Sequence, residues 1–293
     1  MSVQERLGGF PAWCLWGALV FSGVSQAAQP ATKESVSSNG KPGAVTSAPI
    51  VSPSPPVAAG TPGTDTREAA VRRALERDGL GPRLQSLKLK QGTFLAILTL
   101  PRAVTKPRGA LLLVPAAGAA LSDLLPLTLA SLPPKGGWVT LAVQPAPPVP
   151  SPDDGFCPRL AAGLAALKAR ADSPIALVAI GDGVDSAIAC YARKFPPEIA
   201  ALAGVGRWRS SLEDISIPVL DLVPSGDQAA REAAHRREIS VVGRSGASYH
   251  QATVDVPNRG FQGGEEELAK RLRAWLRHVP TRAPSATATP PKV

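Results

Sequence analysis

Short apolar runs recur through the middle of the chain: Ala110–Val114, Trp138–Val143, Ile175–Ile180, Ala201–Val205 and Val219–Val223. A strand that faces water on one side alternates apolar and polar residues; these runs hardly do, so each reads as a strand buried on both faces. Segments with helical patterning lie between most of them, at about Leu121–Ser131, Arg159–Arg170, Val184–Lys194 and Gln228–Arg237. A strand that needs cover on both faces and is followed by a helix is the unit of a parallel sheet sandwiched between helix layers. The expected fold class is therefore α/β, a three-layer sandwich around a mostly parallel central sheet.

The flanks add an antiparallel beginning and a helical end. Asp65 is placed to cap a helix running to Asp78, with Val71, Ala74 and Leu75 on one face and Gly79 as its stop. Leu87 and Leu89 alternate with Ser86, Lys88 and Lys90, and after Gln91-Gly92 comes Thr93–Leu100, which predicts a hairpin. A strand is expected at Tyr249–Val256 and a last helix at Gly264–His278. That helix opens with Glu265, Glu266 and Glu267 and closes with Arg271, Arg273 and Arg277, the order its dipole prefers. No shorter internal repeat is present.

Outside this region the composition changes. Residues 1–27 carry Arg6, an apolar run from about Ala12 to Val24, and small residues Ser25 and Ala27 around Gln26. The run is shorter than the roughly 20 residues a spanning helix needs, so a secretory signal cleaved near Ala27 is expected, an uncleaved anchor being the rival reading. Cys14 lacks the preceding pattern of a lipoprotein signal. Residues 28–64 are rich in Ser, Pro, Thr, Ala and Gly and read as a disordered tether, leaving 65–279 as the folded domain and 280–293 as a second disordered tail.

Cleavage after Ala27 would remove only Glu5 and Arg6 among charged residues, so the net charge of +9 persists. An exported protein with that charge is expected at anionic surfaces, in the periplasm or beyond, with no transmembrane span once the signal is gone. Nothing in the spacing of its scattered aromatics or of Cys and His suggests nucleic-acid or metal binding. Export also leaves Cys157 and Cys190 as an even pair, either a disulfide or two separate buried thiols.

The stretch Ile175–Ala187, IALVAIGDGVDSA, poses the functional question. Many hydrolases place a nucleophilic serine where a strand turns sharply into a helix, within Gly-x-Ser-x-Gly. Here the corresponding five positions are taken as Gly181, Asp182, Gly183, Val184 and Asp185, with Gly183 at the centre and no nucleophile. Ser186 lies about one turn into the helix. Downstream, Asp227 stands where a catalytic acid belongs, although it reads more readily as the cap of the helix starting at Gln228. The loop after the last strand offers Asn258, Arg259 and Gly260 in place of a histidine. His250 falls inside a strand, and His235 and His278 on helices. The loop Pro115–Ala119 follows a central strand, and backbone N–H groups at Ala116, Ala117 and Val184 are candidates to hold an oxyanion or carboxylate.

The segments GTFLAILTLP, RGALLLVPAAG, GWVTLAVQPAPP, IALVAIGDGVDSA, IPVLDLVPSGD, YHQATVDVP and ELAKRLRAWLRH cover most of Gly92–His278. Together they resemble the bacterial α/β-hydrolase-like family catalogued as domain of unknown function 3530. The resemblance implies a hydrolase-like fold in an exported protein, glycine-rich at the elbow and without an assigned reaction. The expected function is a non-catalytic binding or envelope-associated scaffold whose partner is a small ligand, an envelope polymer or a protein, with no cofactor. The alternative is a serine hydrolase or esterase with a displaced triad, drawn from Ser122 or Ser186 with His250 and Asp227. A third reading, nucleotide binding at Gly181, Gly183 and Ser186 with Arg207 and Arg209 nearby, is disfavoured because Asp182 and Asp185 would repel a pyrophosphate.

Overall fold

The computed structural model describes residues 64–90, 92–101, 107–131, 137–147, 155–170, 174–192, 194–242, 248–257 and 260–279. The segments expected as signal, tether and C-terminal tail lie outside the described residues, apart from Thr64, and so do Asn258 and Arg259. In chain order the elements are α1 (Thr64–Arg77), a 3-10 turn (Gly81–Arg83), β1 (Leu84–Lys88), β2 (Thr93–Thr99), β3 (Gly109–Val114), α2 (Leu124–Ala130), β4 (Trp138–Val143), α3 (Phe156–Lys168), β5 (Ile175–Ile180), α4 (Asp182–Cys190), β6 (Ile199–Val205), β7 (Val219–Pro224), α5 (Gln228–Val241), β8 (Tyr249–Val254) and α6 (Glu265–Leu276).

The strands form one eight-stranded sheet in the order β1-β2-β4-β3-β5-β6-β7-β8. β2 pairs antiparallel with both β1 and β4, and every later pairing is parallel. Alternation of side chains across the pleat explains why the central strands are apolar throughout. On β5, Ala176 and Val178 join one core with Val71 and Leu75 of α1, Leu129 of α2 and Leu268 and Leu272 of α6. Ile175, Leu177 and Ala179 of the same strand join the opposite core with Leu160 and Leu164 of α3 and Val184 and Ile188 of α4. No helix among the described residues is long and apolar enough to cross a membrane.

Every expected element is present, and the boundaries that move do so for local reasons. α2 starts at Leu124 because the chain first makes turns in which the Leu121 N–H reaches Gln144 Oε1 (3.0 Å) and the Ala120 N–H reaches Asp123 Oδ2 (2.9 Å). α4 starts at Asp182, two residues before its expected beginning at Val184, because Gly181 completes the turn by itself.

A glycine elbow clasped by two aspartates

β5 lies in the middle of the sheet, and its carboxyl end opens into the crevice where folds of this type place their working groups. Gly181 follows it directly with φ 56° and ψ −131°, a backbone conformation that strongly favours glycine. The strained residue of the elbow is therefore Gly181, not Gly183 as the sequence pattern had centred it. The motif is registered two residues upstream, as Ala179-Ile180-Gly181-Asp182-Gly183. Gly183 instead permits a close approach between helix and strand. A Cβ there would lie 2.9 Å from the Pro115 carbonyl oxygen and 3.3 Å from that of Val114, so the helix runs too close to β3 for a side chain. In either register the position that should present a nucleophile has no side chain.

The two aspartates beside the elbow tie loops together. Asp182 Oδ1 accepts from the Ala117 N–H at 2.9 Å, and the Val184 N–H donates to the Gly181 carbonyl at 3.1 Å. Two of the three backbone groups expected to hold an oxyanion thus have partners within the protein. A carboxylate on the Ala117 donor also sets negative charge where an oxyanion would build up. The same loop is pinned from the other side by Arg67 of α1, which donates to the carbonyls of Gly118 and Ala119, each at 2.7 Å. Asp185 clasps the segment after β6: its Oδ1 accepts from the N–H groups of Arg209 (2.9 Å) and Ser210 (2.7 Å) and from the Ser210 hydroxyl (2.7 Å).

The remaining candidates do not converge. Asp227 is buried at the N-cap of α5, where Oδ1 accepts from the Ala230 N–H at 3.1 Å. Ser122 lies in the turns between β3 and α2, and β3 itself stands three strand positions from β7, about 14 Å across the sheet. Ser186 lies a turn into α4 on the side of the exposed Asp182 and Ala189. His250 pairs with Leu220 near the amino ends of β7 and β8, about 13 Å along the strand from the crevice end. His278 lines the same hollow as His250, and His235 is exposed on α5 beside Glu238. These are the chain's only three histidines. In the loop after β8 Phe261 turns inward, 1% exposed and held at φ 59°; its ring packs against Gly206 after β6.

A buried polar group under the β6–β7 connection was not foreseen from sequence. Asp221 on β7 is fully buried and accepts from Arg237 Nε (2.9 Å) and Nη2 (2.6 Å), the Trp208 indole N–H (3.1 Å) and the Tyr249 hydroxyl (2.7 Å). The Arg237 guanidinium stacks on the Trp208 ring, 3.6 Å from its centre. Burial pushes the Asp221 carboxyl above its ordinary range, against the pull of Arg237. Burial, with Asp221 beside it, likewise raises the Tyr249 phenol. The signal was an aspartate inside an apolar strand, Val219–Pro224, since a carboxylate there requires a buried partner. Cys157 on α3 and Cys190 at the end of α4 form a disulfide. Among the described residues no group of three or more His, Cys, Asp or Glu is placed to hold a metal ion.

No protein-family model and no curated protein matches the chain. Solved structures do. A protein of unknown function from Agrobacterium tumefaciens, described as an α/β hydrolase, superposes with a TM-score of 0.56 at 14% identity over 67% of this chain and 95% of that one. Dienelactone hydrolase from Anabaena variabilis gives 0.55 at 14% identity, over 68% and 100%. A lidless α/β serine hydrolase from Xanthomonas campestris gives 0.53 at 15% identity, over 68% and 95%. The chain therefore has the α/β-hydrolase fold. No family model supports the expected resemblance to the domain of unknown function 3530; the similar structures support the α/β-hydrolase fold alone.

Proposed function

We propose that this is an exported, non-catalytic protein that uses the α/β-hydrolase fold as a binding scaffold in the cell envelope. The observation that carries the reading is the elbow. Gly181 holds the strained backbone that presents a nucleophile in hydrolases of this fold, yet offers no side chain, while Asp182 occupies an amide that oxyanion stabilisation would use. His250 and His278 lie in a hollow near the amino ends of β7 and β8 and His235 is exposed on α5 beside Glu238, so neither His250 nor His278 is placed to act as general base at Gly181. The short N-terminal apolar run, its small-residue cleavage pattern and the motif likeness to the exported family support the location. The hydrolases among the similar structures support the fold and leave the chemistry to the site itself.

The test is turnover of a panel of activated esters by the purified protein beside Asp182→Ala and Ser186→Ala variants. The expected result is hydrolysis no faster than that by an unrelated basic protein and unchanged by either substitution. Turnover that disappeared with either would establish an enzyme with a displaced nucleophile or base.

A further inference from the structure

Beside the elbow, at the carboxyl end of β6, lies a cavity of about 480 Å³ between the β6–β7 connection and α5. Arg207 and Arg209 line it from the connection and Arg236 from α5, with Ser211 also in the lining. All three arginines are exposed, and none forms an ion pair or side-chain hydrogen bond among the described residues. Arg237, which also lines the cavity, is instead committed to Asp221. Three guanidinium groups without an ion-pair partner among the described residues line one cavity and repel one another, which an anionic occupant relieves.

The backbone that displays them is held in place. Trp208, between Arg207 and Arg209, is fully buried; its indole donates to Asp221 and its carbonyl accepts from Arg237 Nη1 at 2.7 Å. Asp185 fixes the N–H groups of Arg209 and Ser210 from the elbow helix. The Arg207 carbonyl would lie 4.0 Å from a Cβ built on Gly181, so the connection borders the elbow itself. Aspartates beside the lost nucleophile thus shape the neighbouring loops.

We propose that this cavity binds the phosphate group of a small organic phosphate or a phospholipid headgroup through Arg207, Arg209 and Arg236. Three forked donors exceed what the two oxygens of one carboxylate accept, whereas a phosphate monoester presents three terminal oxygens and about −1.5 to −2 charge. Glu213 and Glu232 also line the cavity, leaving it only modestly positive and disfavouring a large polyanion. The proposal deepens the binding-scaffold reading and rests on it; ester turnover reports on chemistry and phosphate binding on this cavity, so each can fail alone.

The experiment is calorimetric titration of the purified protein with sn-glycerol 3-phosphate, and co-sedimentation with phosphatidic acid vesicles in phosphatidylcholine, at physiological ionic strength. Variants are Arg207→Gln, Arg236→Gln and, as a control on the same helix outside the cavity, Arg231→Gln. Saturable binding of either probe is expected, weakened about tenfold or more by each cavity substitution and nearly unchanged by the control. Binding of the soluble phosphate identifies a free ligand, and binding of vesicles alone identifies a headgroup. Absence of binding to both, equal loss with Arg231→Gln, or citrate binding as tightly as the phosphate would each overturn the proposal.

Discussion

Gly181 shows how one residue can keep the backbone of an elbow without a side chain to react. The left-handed backbone that a hydrolase imposes on a serine at some cost in strain is here given to the residue that adopts it most easily. The connection from β5 to α4 keeps its shape, and Asp182 and Asp185 hold it by hydrogen bonds to backbone amides. At the same scale, the chain's two tyrosines provide a pH signature. Burial, with the Glu198 carboxylate nearby, pushes the Tyr191 phenol up to about 12, and Tyr249 is raised as well. Both are neutral in the native state well above the usual value of about 10. Their contribution to stability is complete below about pH 10 and is lost as pH rises through the folded values. Spectrophotometric titration should show tyrosinate absorbance emerging near pH 10 in the urea-unfolded protein and only toward pH 12 or above in the folded protein; coincident curves would contradict the burial of both hydroxyls.

The strands, helices and their order were legible because burial on two faces leaves apolar runs and the turns between them leave glycine and proline. The exact register of the elbow was not. Gly181-x-Gly183 satisfies a spacing rule in two frames, and only backbone angles reveal which glycine bears the strain. Contacts between elements were also hidden. Arg159, buried on α3, meets Glu68 of α1 at 2.6 Å, and Arg237 of α5 meets Asp221 of β7, partners 91 and 16 residues apart that no local pattern links. The second pair predicts a specific energetics. Arg237→Met leaves a buried carboxylate uncompensated and should cost roughly 3–5 kcal/mol in urea unfolding. Asp221→Asn in the same background should restore part of that loss, because it removes the buried charge while its amide oxygen accepts from the Trp208 indole and its NH2 donates to the Tyr249 hydroxyl, in place of the two carboxylate oxygens that accept from them now. Additive losses in the double variant would mean the two side chains stabilise the protein independently.

For the molecule as a whole, the disulfide between Cys157 and Cys190 closes a stretch of 33 residues and links α3 to α4, the helix that carries the elbow. Constraint of the unfolded chain predicts a loss of about 3–4 kcal/mol in the Cys157→Ser/Cys190→Ser variant or under reductant, read by urea unfolding. Stability unchanged by reduction would show that the bridge contributes little beyond packing. Together with the crevice, these features describe a hydrolase-type fold whose elbow position, Gly181, carries no side chain, and the proposed reading is that the centre is non-catalytic. The most direct test is covalent labelling of the folded protein with a fluorophosphonate, read by intact mass and peptide mapping. The account predicts an unmodified mass. An adduct on a single serine, at Ser186, Ser122 or elsewhere, would contradict it and reveal an active hydrolase whose nucleophile has moved.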